Sequence, residues 1–269
     1  MSKRLLVLDL DGTLTNSQKK VTPATKEAIF KMMDKGHVCM LASGRSTPGV
    51  RPIADELKFS KKGGYILSFN GAKIIDCRTN EVLYQQTLSL EWLPTLLKFA
   101  RENHCGLITY TEEEIISANG IDEYIQLESR VADIPIHEVK NFPEYVNFPI
   151  NKCLMTAHPD HAAKCEVLLR DLVGEHLSVY RSDPYYIEIV PKGIDKAASL
   201  EKMLPIIGIS RENCIACGDG FNDISMIKFA GIGVAMGNAE AEVKKAADFV
   251  TADIDDDGIE KALKHFNLI

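Results

Sequence analysis

Arg4-Leu5-Leu6-Val7-Leu8-Asp9-Leu10-Asp11-Gly12-Thr13 is the stretch from which the fold can be read. Residues 4–8 form an apolar run without polar alternation, which reads as a strand buried on both faces, and Gly12 ends it in a turn. A strand of that kind belongs in a parallel sheet covered by helices. In such sheets ligands bind in the crevice beyond the carboxyl ends of the strands, where Asp9 and Asp11 stand. Their spacing of two lets both carboxylates face one side while the extended geometry lasts. Gly12 allows a tight turn that presents backbone N–H groups to an anion. An Asp-Gly turn after a strand is common without any chemistry. The full string behind an apolar strand is far more specific.

The same grammar continues outward. Thr22-Pro23 supplies an N-cap and a first-turn proline for a helix to about Lys35, where Gly36 stops it. A buried strand over 37–42, a helix over about 48–57 and a strand over 65–69 follow. After residue 190 the rhythm returns, with a helix over 195–204, a strand over 214–217, helices over 222–229 and 239–247 flanking a strand at 232–235, and a closing helix over 256–266. The middle reads differently. It mixes helices at 91–103, 121–130 and 159–172 with strands at 106–110, 115–118 and 151–156, then a hairpin of 177–181 with 185–190. The expectation is an α/β domain of residues 1–85 and 189–269, interrupted by an α+β insertion of residues 86–188.

Composition narrows the function classes. The 269 residues carry 31 Lys+Arg against 38 Asp+Glu, a net charge of −7, which argues against a nucleic-acid partner. No apolar run approaches the roughly 18 residues of a membrane span. The apolar stretch behind Lys3-Arg4 is broken by Asp9 and Asp11, so no secretory signal is expected. Seven cysteines without regular spacing fit a reducing compartment, and the expectation is a soluble cytoplasmic protein.

A second acidic loop follows another apolar strand, Gly218-Asp219-Gly220-Phe221-Asn222-Asp223. Asp219 and Asp223 offer hard oxygen ligands suited to Mg²⁺. Either Asn222 or Asp223 could instead cap the helix that follows. Two acidic strand-end loops in one chain favour the metal. Ser43, after the second strand, can donate to a phosphate, and Gly44 leaves its own amide accessible. Lys196, opening a helix, could neutralise a phosphoryl oxygen. Two further patterns read as structural. Cys214 and Cys217 lie three apart on a strand, hence on opposite faces, and are expected to be buried thiols rather than a zinc or redox pair. His158-Pro159-Asp160-His161 has metal-like spacing but sits at a helix start, where solvated caps are commoner.

The strings DLDGT (9–13), ASGR (42–45), GIDK (193–196) and GDGFND (218–223), in that order, resemble the four motifs of the haloacid dehalogenase superfamily. Residues 9–29 and SFNGAKI (68–74) resemble, more narrowly, its Cof-type phosphatases. The resemblance implies a Rossmann-like core with an inserted α/β (C2B-type) cap that closes over substrate. It implies a Mg²⁺-dependent phosphatase acting on small phosphate monoesters, sugar phosphates foremost, through an aspartyl phosphate. Asp9 would be the nucleophile, and Asp11 the acid and then the base. Mg²⁺ would be held by Asp9, the Asp11 carbonyl and Asp219, with Asp223 supporting. The amides of Leu10 and Gly44, the Ser43 hydroxyl, Lys196 and Asn222 would cradle the phosphoryl group. Family members that are dehalogenases or ion pumps lack an aspartate at the position of Asp11. The implied partner is a small phosphorylated metabolite, with no obligate protein partner. A phosphomutase, or a non-enzymatic phosphosugar-binding regulator, is the alternative on the same fold.

Overall fold

The computed structural model describes residues 2–269. Its contacts divide the chain into two units, one of the described residues up to Gln85 with Asp195–Ile269, the other of Gln86–Ile194.

The first unit opens with β1 (Leu5–Leu8), α1 (Pro23–Asp34) and β2 (Val38–Ala42), and every residue of both strands is buried. Helix α1 starts where Thr22 accepts a hydrogen bond from the Thr25 amide, with Pro23 in the first turn. Next come α2 (Thr47–Glu56), the single turn α3 (Phe59–Lys62) and β3 (Gly64–Ser68). Two antiparallel strands that the sequence reading did not anticipate then extend the sheet, β4 (Lys73–Asp76) and β5 (Val82–Gln85). Each is four residues long, too short for a readable hydrophobic period, and β5 is an edge strand with no buried residue.

The second unit holds α4 (Leu93–Glu102), β6 (Gly106–Tyr110), β7 (Ile115–Ser117), α5 (Glu123–Ala132), β8 (Ile136–Glu138), α6 (Phe142–Tyr145), β9 (Cys153–Thr156), α7 (Pro159–Val173), β10 (Leu177–Asp183) and β11 (Tyr186–Pro191). Its six strands run in the order β10-β11-β9-β6-β7-β8, antiparallel except for the β7–β8 pair. Helix α7 buries Ala162, Cys165, Leu169 and Val173, one stripe at helical spacing. That stripe belongs to a core with Leu96, Phe142, Ile187 and Ile189. The boundary expected at 188/189 falls inside β11. Ile187 and Ile189 pair with Met155 and Cys153 of β9, so the strand stays with this unit and the division comes at Ile194.

The chain re-enters the first unit with α8 (Lys196–Ile206), β12 (Cys214–Gly218), α9 (Ile224–Phe229), β13 (Ile232–Ala235), α10 (Ala241–Ala246), β14 (Phe249–Val250) and α11 (Gly258–His265). The sheet order is β14-β13-β12-β1-β2-β3-β4-β5, parallel from β14 through β3. The chain thus leaves β1 toward β2 on one side and later lays β12 on the other. The carboxyl end of β1 is the point where strand order reverses, the place such sheets bind ligands. Alternate residues feed two cores: Leu6, Leu8, Leu41 and Cys217 face one, while Leu5, Val7, Met40 and Cys214 face the other. Cys214 and Cys217 are therefore on opposite faces, and burial pushes the Cys214 thiol up to about 12. No helix among the described residues is long and apolar enough to cross a membrane.

One titratable group is built into this frame. The Arg4 amide donates to Nδ1 of the buried His37 at 3.1 Å, a bond that needs the nitrogen unprotonated. Burial, then the charges of Arg4 and Lys35, hold His37 below its ordinary 6.5. A depressed folded value means that its contribution is complete above 6.5 and is lost as the pH falls through the lower folded value. Chemical denaturation at a series of pH values is expected to show wild type losing stability on acidification more steeply than His37→Gln. Parallel curves would remove this residue from the account.

Candidate active site at the strand ends

Register assembles the site. Leu8 of β1 lies beside Leu41 of β2 and Cys217 of β12, so the residues that follow emerge along one rim: Asp9, Ser43 and Asp219. The Asp9 amide donates to the Cys217 carbonyl at 3.1 Å, and the Ser43 amide to the Leu67 carbonyl at 2.8 Å. The two acidic loops also interlock. Gly12 has φ +82°, and a Cβ there would overlap the Asp219 carboxylate, so only glycine permits the approach. Next to it the Thr13 hydroxyl donates to Asp219 Oδ1 at 2.7 Å.

Lys196 is the cation of the site. It is fully buried at the start of α8, a helix that Asp195 caps by accepting from the Ala198 amide. Its Nζ donates at 2.6 Å to Asp9 Oδ1 and at 2.6 Å to Asp223 Oδ1. The second oxygen of Asp223 accepts from the amides of Asp219 and Gly220, both at 3.0 Å. Asp223 therefore holds the loop together with both oxygens engaged. Carboxylate oxygens of Asp9, Asp219 and Asp223 lie within 4.8 Å of one another.

Three clustered acids face one ammonium, and the charge balance shows in the titration of Asp9, Asp219 and Lys196. Burial and then the Asp223 charge raise Asp9 well above the usual carboxylate range, with Lys196 opposing. Burial lifts Asp219 to about 6, against the Thr13 bond. Burial alone would depress Lys196, but Asp223 and Asp9 outweigh it and hold the ammonium charged. A surplus of negative charge on hard oxygens is what a divalent cation such as Mg²⁺ requires, and Asp9 and Asp219 have oxygens to offer it.

Asp11 is arranged differently. Arg45 grips it at both oxygens, Nε to Oδ2 at 2.8 Å and Nη2 to Oδ1 at 2.7 Å, and Lys19 adds a bond to Oδ1 at 2.8 Å. Burial opposes ionisation, but the two cations outweigh it and lower its pKa. Its carboxylate is not a member of the acid cluster. The sequence reading gave Arg45 and Lys19 no role: both stand within quoted strings, ASGR (42–45) and residues 9–29, but nothing in those strings says that their side chains fold onto Asp11.

The remaining predicted residues gather around a side chain that the reading also missed, Asn70. The Asn70 amide donates to the Ser43 carbonyl at 3.0 Å and the Phe69 amide to the Arg45 carbonyl at 2.9 Å. A Cβ on Gly44 would stand 3.1 Å from both terminal atoms of the Asn70 side chain. Asn222 donates from Nδ2 to Asn70 Oδ1 at 3.2 Å, and the Gly71 carbonyl accepts from Ser199 of α8 at 2.7 Å. Phe69 and Asn70 both have positive φ, the cost of bending the loop between these neighbours. The available signal was the Asn70-Gly71 pair directly after a strand, a turn signature. Leu10 anchors the first loop: its side chain is fully buried and its carbonyl accepts from the Leu14 and Thr15 amides.

A sequence model of the haloacid dehalogenase-like hydrolase family matches residues 6–263. The 5-amino-6-(5-phospho-D-ribitylamino)uracil phosphatase YcsE of Bacillus subtilis is 30% identical over 98% of this chain and 96% of its own. A crystal structure of a haloacid dehalogenase-like hydrolase from Bacteroides thetaiotaomicron superposes with a TM-score of 0.94 at 43% identity, over 98% of this chain and all of that one. A sugar phosphatase of subclass IIB in the same superfamily superposes with a TM-score of 0.82 at 28% identity, over 99% of this chain and 100% of its own.

The geometry around Lys196 sets a stability expectation. Lys196→Met removes the one ammonium bonded to two buried acids, and stranding a buried charge costs about 3–5 kcal/mol. Denaturant unfolding without divalent cations is expected to show a loss of that order, and an unchanged midpoint would refute it.

Proposed function

The chain belongs to the haloacid dehalogenase-like hydrolases, and from that premise we propose that it is a Mg²⁺-dependent phosphatase of small phosphate monoesters, with phosphorylated sugars or polyols as substrates. The observation that carries this reading is the buried carboxylate of Asp9 at the switch point, bonded to Lys196, with a second aspartate two residues on. The names of the relatives support the substrate class: one acts on a phosphoribityl compound and another is a sugar phosphatase.

In this reading a carboxylate oxygen of Asp9 attacks phosphorus while the P–O bond to the substrate alcohol breaks. Asp11 gives its proton to the departing oxygen. Water then attacks the aspartyl phosphate, Asp11 takes up the water proton, and the Asp9–phosphorus bond breaks to release phosphate. Arg45 and Lys19 favour the ionised form of Asp11, so protonation is helped when substrate entry loosens those contacts. Lys196, the Ser43 hydroxyl, the Leu10 and Gly44 amides and Asn222 hold the phosphoryl oxygens, since this chemistry depends chiefly on positioning and charge. Mg²⁺, held by Asp9, Asp219 and the Asp11 carbonyl, supplies compensating positive charge there, while Asp223 fixes the loop. We assign the unit Gln86–Ile194 the part of the family's cap. All seven cysteines are free and buried, which suits a cytoplasmic protein.

The test is phosphate release from a panel of sugar phosphates, polyol phosphates, pyridoxal phosphate and nucleotides, with Mg²⁺, with EDTA, and for Asp9→Asn. Release that needs the metal and falls to background in the variant is the expected result. Folded, Mg²⁺-loaded protein that moves phosphate between sugar positions without net release would make it a mutase. No turnover at all would leave a binding protein.

A further inference from the structure

The Gln86–Ile194 unit brings together two thiols and an imidazole that nothing in the phosphatase reading uses. Cys105 lies just before β6, and His161 and Cys165 stand one turn apart on α7. Cys105 Sγ is 3.6 Å from Cys165 Sγ, and Cys165 Sγ is 3.4 Å from His161 Nε2. All three ligand atoms lie within 4.8 Å of one another. We propose that Cys105, His161 and Cys165 form a binding site for a zinc ion, which ties α7 to the loop that opens β6.

Two of the three donor–donor edges have the lengths of a coordination shell. Zinc bonds of about 2.3 Å to sulfur and about 2.05 Å to nitrogen at tetrahedral angles set donors about 3.8 Å apart sulfur to sulfur, and about 3.6 Å sulfur to nitrogen. The observed edges fall about 0.2 Å inside those values. Thiolate and imidazole are also the wrong donors for Mg²⁺ and the right ones for zinc. Both sulfurs are buried, while His161 is exposed, so the ion has a dry side and an entry side. A fourth donor is at hand. The Asn103 carbonyl accepts from His161 Nε2 at 2.6 Å and lies 3.5 Å from Cys105 Sγ. Binding releases both thiol protons to solvent, moves the imidazole proton to Nδ1, and leaves the carbonyl or a water to complete the tetrahedron. The sequence reading weighed only His158 as a metal-binding neighbour of His161 and set the pair aside as a solvated helix start. The fold supplies two cysteines instead, one of them 56 positions away in the chain.

The experiment uses the full chain under a phosphine reductant, stripped of metal and titrated with Zn²⁺ and, as a spectroscopic stand-in, Co²⁺. Wild type is expected to retain one equivalent of zinc through dialysis. Its cobalt form should show a sulfur-to-metal charge-transfer band and the intense visible bands of a tetrahedral site. The acid cluster of Asp9, Asp219 and Asp223 has only oxygen donors and cannot give the sulfur band, so the result is independent of phosphatase activity. His161→Gln, at an exposed position that leaves the core intact, and Cys165→Ser should abolish that band. Each should weaken zinc binding by more than the roughly 10–100-fold that losing an outer-shell partner costs. A missing sulfur band, or one that survives both substitutions, would overturn the proposal. So would a Cys105–Cys165 disulfide that forms under oxidant equally fast with and without Zn²⁺.

Discussion

The bond from Lys196 to Asp9 and Asp223 is the constraint around which the strand-end site is organised. It joins the first loop, the start of α8 and the loop after β12 through one buried ammonium. A lysine with no exposed surface is tolerated only where its charge is answered, and here two carboxylates answer it. The acids in turn need the lysine, since with Asp219 they leave the rim with surplus negative charge. Such a cluster is poorly suited to stability for its own sake. In the proposed function its value lies in pre-organised charge, which a phosphoryl group and a divalent cation would complete.

The parallel sheet makes that arrangement possible. Because β1 lies between β2 and β12, three chain segments end side by side within one register, and their next residues meet without long side chains reaching for one another. The loop at Phe69–Gly71 adds a brace from the neighbouring strand, touching the Ser43–Arg45 turn, Asn222 and Ser199. Positive φ at two non-glycine residues is strain that such a web of contacts can hold. Asp11 is the exception to the rigid pattern. Its partners Arg45 and Lys19 are side chains long enough to release it, which suits the proton exchange proposed for it.

Much of this was legible in the chain. The buried strands announced themselves as apolar runs; Asp9, Ser43 and Asp219 could be singled out because each follows such a run within a few residues, and Lys196 because it opens a helix and completes the ordered set of motifs. The short strands β4, β5 and β8 were not legible, since three or four residues cannot display a period. The strand Tyr186–Pro191 was read correctly as a strand but assigned across a boundary, because its partner, β9, is a matter of pairing and not of pattern.

The sequence by itself determined the parallel α/β plan, the chemical identity of the strand-end groups and their order along the chain, because these follow from hydrophobic runs, turn residues and motifs that are local. Tertiary structure alone decided which charges meet. It set Arg45 on Asp11, Asn70 between Gly44 and Asn222, and Cys105 beside His161 and Cys165. Each of these contacts joins residues separated by a strand, a helix or more. Their distances are fixed by packing and register, and neither is written in any short stretch of residues.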